Sequence, residues 1–185
     1  MKNGRRNESV AGLPAQIRIL LDNVLADNNS SDKAMTAPAQ ARLQANTKAR
    51  YRHFLEISTR WMDNDVYGHV NNVVYYSWFD TVVNQFLVEQ RVLDIEHSTV
   101  IGLVIETQCN YFASVAFPDK IVAGVSVAKL GNSSVRYEVG IFRGDEDTAS
   151  AQGHFVHVYV DRASRKPTTI PADMRAVLTT ITDPT

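Results

Sequence analysis

Cysteine is almost absent: Cys109 is the only one in 185 residues, so an intrachain disulfide and a cysteine-based zinc site are both excluded. Such usage goes with a reducing compartment, and the cytosol is the expected location. Long apolar runs are also missing. No stretch approaches the roughly 18 residues of a membrane-spanning helix. The basic start from Met1 to Arg6 is followed by no apolar core of a secretory signal, and Glu8, Asp22, Asp27 and Asp32 speak against a mitochondrial presequence. With a formal net charge of −1, a pI near 6.5 and no basic stripe interleaved with aromatics, no nucleic-acid partner is expected. There is no G-x-G-x-x-G, no G-x-x-x-x-G-K-[ST] and no internal repeat, so dinucleotide and P-loop chemistry have no support.

What is present is unevenly distributed. Every Trp, Tyr and Phe stands at or after Tyr51, and of nine glycines only Gly4 and Gly12 come earlier. Residues 1–50 carry eight Lys and Arg against four Asp and Glu, whereas 51–185 carry eleven against sixteen. Hydrophobic residues at 44% and charged residues at 21% are ordinary for a globular chain. The folding information is therefore expected after residue 50. Residues 1–50 read as an extension and linker, with an amphipathic helix over 13–26 and an Ala-rich stretch from Lys33 to Arg50 containing Pro38. Met35 marks an alternative start that removes no aromatic and only two glycines, so residues 1–34 are expected to be dispensable for folding.

From Tyr51 the pattern changes. His53, Leu55, Ile57, Thr59 and Trp61 alternate with Arg52, Phe54, Glu56, Ser58 and Arg60, the period of a strand. A polar loop, DNDVYGHVNN, leads to residues 73–90, apolar on most of the circumference as a buried helix is. Further strands are predicted near 99–113, 120–129, 133–143 and 150–160, separated by Phe117-Pro118-Asp119, Gly131-Asn132 and Gly144-Asp145-Glu146-Asp147. Residues 170–181 read as a terminal helix with Pro171 near its start. One strand, one buried helix and four successive strands predict an α+β fold in which an antiparallel sheet wraps a long central helix.

The chemistry-bearing segment is Arg60 to Tyr76, RWMDNDVYGHVNNVVYY. Asp63, Asp65 and His69 fall within seven residues of a loop joining a strand to a buried helix, a place where a rigid scaffold positions polar groups. Gly68 permits close backbone approach or a positive φ. Asn71 and Asn72 supply an N-cap, so the helix starts with unsatisfied N–H groups and the positive end of its dipole. Such a terminus can hold the negative charge that develops on a carbonyl oxygen, an interaction worth roughly 3–4 kcal/mol in a transition state. A carboxylate upstream could attack that carbonyl or activate water against it, which is acyl-transfer chemistry. Composition alone leaves the same loop readable as a structural turn.

This block and the apolar helix behind it resemble the 4-hydroxybenzoyl-CoA thioesterase branch of the hot-dog superfamily. The resemblance spans residues 51–165, including CNYFASVAFPDKI and KLGNSSVRYEVGIF, and leaves 166–185 as a C-terminal tail with a short helix. It implies a hot-dog fold with five strands, association as a dimer or tetramer, and hydrolysis of an acyl-CoA or acyl-carrier-protein thioester without metal or redox cofactor. It implies Asp65 as nucleophile or general base, His69 beside it, and the backbone N–H of Asn72 as the oxyanion donor. Substrate contacts are expected at Tyr67, Gly68, Asn71 and Tyr75.

The match has departures. Where the 4-hydroxybenzoyl enzyme has apolar and aromatic residues, this chain has His69, Asn71 and Asn72, so the aromatic substrate does not carry over. The G-H-V-N-N form is closer to fatty acyl-CoA and plant acyl-carrier-protein thioesterases, yet Tyr67 replaces the Asn of the plant pattern and Asn110 to Ser114 contain no Glu. A hot-dog hydratase or dehydratase, with Asp and His five apart rather than four, is the alternative enzyme. A non-catalytic acyl-thioester-binding module is the alternative outside catalysis. His69 either contacts substrate or water or orders the loop; Asp63 is either a charge beside Asp65 or a turn residue. His154 and His157, three apart on a strand, face opposite sides and make a poor metal pair. Arg162, Arg165 and Lys166 are candidates for coenzyme A phosphates or plain surface.

Overall fold

The computed structural model describes residues 43–182. The helix expected over 13–26 and the alternative start at Met35 lie outside the described residues. Five strands, β1 (His53–Ser58), β2 (Val100–Tyr111), β3 (Lys120–Leu130), β4 (Ser134–Arg143) and β5 (Ala151–Asp161), form one antiparallel sheet in the order β1-β3-β4-β5-β2. Two helices accompany it, α1 (Asn72–Glu89) and α2 (Ala172–Thr180). This is the expected hot-dog layout.

The inner face of the sheet is built by alternation. Val125 pairs with Val139, Val127 with Tyr137 and Tyr137 with Phe155, so their side chains share one face, and all are buried. Against that face α1 lays Tyr75, Trp78, Phe79, Val82, Val83, Phe86 and Leu87, a repeat of three and four residues that defines one helical stripe. The burial of α1 is one-sided. Its other face carries Val73, Ser77, Asp80, Thr81 and Gln85 at the surface, with local bonds such as Asn84 Nδ2 to Asp80 Oδ1 at 2.9 Å. The expectation of a helix covered nearly all round holds for only half of it in the single chain.

Two differences from the sequence reading have local causes. The strand expected over 53–61 ends at Ser58, because the Thr59 hydroxyl donates to the Asp119 carbonyl at 2.7 Å and Trp61–Asp63 coil into a 3-10 turn. The terminal helix packs into the core rather than trailing from it: Ile170, Met174, Leu178 and Ile181 are buried there, and Arg175 Nη2 donates to the Gly131 carbonyl at 2.7 Å.

The outer face has a small core of its own. Residues 46–48 bond to the chain before β5, with Ala149 N donating to the Asn46 carbonyl at 2.9 Å and Lys48 N to the Asp147 carbonyl at 3.0 Å. Tyr51 then lies over Gly124 and Gly140, which oppose each other on β3 and β4. A Cβ on Gly140 would come within 2.5 Å of the Tyr51 ring, so these two glycines make the seat for it. Phe142 meets the same ring edge-on at 5.6 Å.

Candidate active site

The loop between β1 and α1 is anchored at both ends. The buried Asp63 carboxylate accepts the Arg60 N–H at 2.7 Å and the Arg60 Nε–H at 3.0 Å, while its carbonyl accepts the Asn71 N–H at 2.9 Å. From the β2–β3 connection, the Phe117 N–H donates to Asn64 Oδ1 at 3.0 Å, and the Val115 carbonyl accepts the Val70 N–H at 2.8 Å. Of the two roles left open for Asp63, its geometry fits the turn residue.

Between these anchors residues 64–70 close on themselves. Asp65 N donates to the His69 carbonyl at 2.9 Å and Gly68 N to the Asp65 carbonyl at 3.2 Å. Gly68 sits at φ 84°, with nothing near the position of an added Cβ, so the need there is conformational rather than spatial. Asp65 Oδ1 accepts the Tyr67 N–H at 2.8 Å. Its other oxygen, Oδ2, lies 3.5 Å from His69 Nδ1, beyond the usual hydrogen-bond length. One carboxylate oxygen is thus held by backbone and the other is left for chemistry.

Seven residues after Asp65, α1 begins. Asn71 is the N-cap; its Oδ1 accepts the Val73 N–H at 3.1 Å and its carbonyl accepts the Val74 N–H at 3.0 Å. The Asn72 N–H has no protein acceptor among the described residues. It is an unused donor at the positive end of a helix of 18 residues.

Asp65, His69, Val70, Asn72 and Tyr75 line a cavity of about 400 Å³, and the end of β2 with the residues after it, Tyr111 to Ser114, forms the opposite wall. The sequence-selected residues divide accordingly. Asp65, His69, Asn72 and Tyr75 are brought together on the cavity; Tyr67, Gly68 and Asn71 shape the loop and helix start without lining it. The Tyr67 side chain is 81% exposed, its ring 6.3 Å from that of His69. The wall from Tyr111 to Ser114 was not selected from sequence. Its signals were the apolar-aromatic end of a strand, which does not reveal what it faces, and the position of the plant-type Glu, which Asn110 to Ser114 lack.

The hydroxyl and thiol groups at and beside this wall stay protonated at neutral pH. Burial pushes the Tyr75 hydroxyl up to about 12 and the Cys109 thiol up to about 11, and Tyr111 is raised by burial and by the neighbouring Cys109 and Tyr76. The two strand histidines separate as expected: His154 Nε2 stands 2.5 Å from Glu106 Oε1, whereas His157 is enclosed by Tyr137, Phe155 and Tyr159. Arg162 binds the Ser98 and Ile95 carbonyls at 2.6 and 2.8 Å. It follows Asp161, which pairs with Val100 at the far end of β2 from Tyr111, roughly 35 Å from the cavity wall at strand rise. No group of three His, Cys, Asp or Glu suited to a metal occurs among the described residues.

The thioesterase-like superfamily matches residues 59–178, the span that contains the loop, α1, most of α2 and four of the five strands. The chain belongs to that superfamily, the thioester hydrolases built on the hot-dog fold. The PA5185 protein of Pseudomonas aeruginosa strain PAO1 has a crystal structure similar to this chain, with 51% identity, a TM-score of 0.73, and coverage of 75% of this chain and 96% of that one. Slr0204, a 1,4-dihydroxy-2-naphthoyl-CoA thioesterase from Synechocystis, shares the fold at 13% identity, with a TM-score of 0.62 over 68% of this chain and 94% of its own. YsmA of Bacillus subtilis strain 168 is 25% identical over 88 residues, 48% of this chain, and the chain spans 59% of the length of YsmA. Among the described residues no helix is long and apolar enough to cross a membrane.

Proposed function

We propose that this protein is an acyl-CoA thioesterase in which Asp65 acts on the thioester carbonyl carbon, as nucleophile or as the base that deprotonates water, while the Asn72 N–H holds the carbonyl oxygen. The observation that carries the reading is that Asp65, with one oxygen not held by the backbone, and Asn72, with an unused N–H, line one cavity. A carbonyl placed between them meets an attacking oxygen on one side and a hydrogen-bond donor at the oxygen that becomes negative. Collapse of the tetrahedral intermediate expels coenzyme A as its thiolate, a good leaving group, so the chemistry calls for no metal or redox cofactor. If Asp65 attacks directly, the mixed anhydride that forms is then hydrolysed; if it acts as a base, water attacks in one step. His69 stands beside the Asp65 oxygen not held by the backbone, its Nδ1 3.5 Å from Oδ2. The G-H-V-N-N motif is closer to fatty acyl-CoA and acyl-carrier-protein thioesterases than to the 4-hydroxybenzoyl-CoA enzyme, whose own substrate is therefore not carried over.

Self-association belongs to the same reading. β2 is an edge strand of 12 residues with Leu103, Val104 and Ile105 exposed along it, and a long apolar edge of this kind is a ready surface for a second copy. The exposed face of α1 has no partner element among the described residues. A cytosolic site of action accompanies the reading, in keeping with a chain that has one cysteine, Cys109.

The test is a thiol-release assay with acyl-CoA and acyl-carrier-protein thioesters. Release that disappears in Asp65→Asn while the fold is kept supports the reading. Tight binding with no release from any thioester supports a binding module instead, and water addition to an enoyl thioester supports the hydratase alternative.

A further inference from the structure

In the single chain no α1 residue beyond Tyr75 lines the cavity, so its helical wall spans one turn from the proposed oxyanion donor. Tyr75 stands three residues into α1 from Asn72, about 4.5 Å along the axis, and helical side chains lean back toward the N-terminus, which shortens that depth further. The Tyr75 ring meets the Tyr111 ring edge-on, with centroids 5.0 Å apart and planes at 88°. Behind it stands Trp78, also at 5.0 Å. Tyr75 and Trp78 are buried in the core, so that side of the contact cannot swing away. Tyr111 reaches across from the end of β2 and donates its hydroxyl to the Asn72 carbonyl at 3.3 Å. Two rings therefore bridge from helix to strand, across the direction in which a long acyl chain would have to run between α1 and β2. At about 400 Å³ the cavity is near the lower end of small-molecule sites, which span roughly 300–1,000 Å³, and it has to hold the thioester group as well.

We infer that the Tyr75–Tyr111 pair is the acyl stop of this site, so that the protein takes compact acyl groups, a few carbons or a single ring, and excludes long chains. This rests on the proposed thioester chemistry at Asp65. Tyr111 is the residue to change, because its ring is 45% exposed, whereas truncating Tyr75 would open a hole in the core costing about 3–5 kcal/mol.

The experiment measures kcat/KM of the full chain with butyryl-, benzoyl- and dodecanoyl-CoA by thiol release, in the wild type and in Tyr111→Ala, Tyr111→Leu and Tyr111→Phe. Butyryl- and benzoyl-CoA are each expected to exceed dodecanoyl-CoA by about ten-fold or more. Tyr111→Ala and Tyr111→Leu should raise the dodecanoyl-to-butyryl ratio about ten-fold, and Tyr111→Phe, which keeps the ring, should hold the wild-type ratio. Dodecanoyl-CoA outperforming either compact substrate in the wild type, or a ratio that Ala and Leu leave unchanged, overturns the stop. Failure of the thioesterase reading looks different: no thiol is released from any substrate. In that case dissociation constants for butyryl- and dodecanoyl-CoA by calorimetry, in wild type and Tyr111→Ala, decide the stop by the same shift in ratio or its absence.

Discussion

Asp65 and His69 face each other across a four-residue turn, Oδ2 of the carboxylate 3.5 Å from Nδ1 of the imidazole, while the other carboxylate oxygen is fixed by the Tyr67 N–H at 2.8 Å. The backbone thus sets the carboxylate's orientation, and the imidazole lies beside the oxygen that is left. The two residues should therefore behave differently on substitution.

Asp65→Asn keeps an oxygen for the Tyr67 N–H and removes the basic, nucleophilic one. Turnover should fall by roughly 10²–10⁴ with little change in melting temperature. His69→Ala should cost less, about 10-fold to 10²-fold, because the imidazole acts through Asp65 in this scheme. Steady-state thiol release with thermal melts checks both, and near-wild-type turnover in Asp65→Asn would remove Asp65 from the mechanism.

Asp63 is the opposite case, a carboxylate whose oxygens are already used. Asp63→Ala leaves the Arg60 N–H without its acceptor and loosens the loop that carries Asp65, a loss of about 1–3 kcal/mol, moderated because the Arg60 side chain is largely solvated. Stability and turnover should fall together, by denaturant melts and assay on the same preparation. A drop in turnover at full stability would mean that Asp63 has a chemical role.

How much of this was legible follows the range of each interaction. The helix behind the loop, the strand positions and the grouping of Asp65, His69 and Asn72 come from periodicity and short spacing, and the chain writes those locally. The far wall does not: Tyr111 to Ser114 reach the cavity only because β2 runs alongside β5 and ends beside the start of α1. The early end of β1 depends on Thr59 bonding to Asp119, sixty residues later. The Tyr51 seat needs Gly124 and Gly140 opposite each other, a register that turns and pairing decide together.

That seat can be tested by a double-mutant cycle. Gly140→Ala forces a Cβ against the Tyr51 ring at 2.5 Å and should cost about 1–3 kcal/mol. Tyr51→Ala empties the same place and should cost about 3–5 kcal/mol. Because the alanine methyl fits once the ring is gone, the double variant should be more stable than the two losses predict when added, by about 1 kcal/mol or more. Strict additivity in denaturant melts would show that the contact carries no strain.

His157 should make the fold acid-sensitive. Enclosed by Tyr137, Phe155 and Tyr159 and with no partner at Nδ1, it is pushed down by burial to about 4 from the usual 6.5. Between those values the unfolded chain binds the proton and the folded one does not, so stability rises with pH and is lost on acidification from about 6.5 toward 4. The loss amounts to about 3 kcal/mol. His53, also lowered by burial against the opposing pull of Glu89, adds in the same direction. Chemical denaturation at a series of pH values should show this slope, reduced in His157→Leu. An unchanged slope in that variant would assign the acid sensitivity elsewhere.

The edge of β2 carries the last expectation. Leu103, Val104 and Ile105 are exposed along a strand whose one hydrogen-bonding side is filled by β5 and whose other side has no partner strand in the sheet. The β2–β5 register shifts between Val104 and Glu106, and such a bulge twists the edge without covering it. A second copy related by a two-fold axis would pair β2 with β2 and remove this apolar edge from water in both chains at once. Sedimentation should therefore give twice the 20.6 kDa chain mass at micromolar concentration. Ile105→Lys and Val104→Lys put like charges opposite each other across that axis and should return the monomer mass, while leaving the far-UV spectrum of the folded chain unchanged. Wild-type protein that sediments as a monomer, or lysine variants that keep the doubled mass, would place the contact on another surface or remove it.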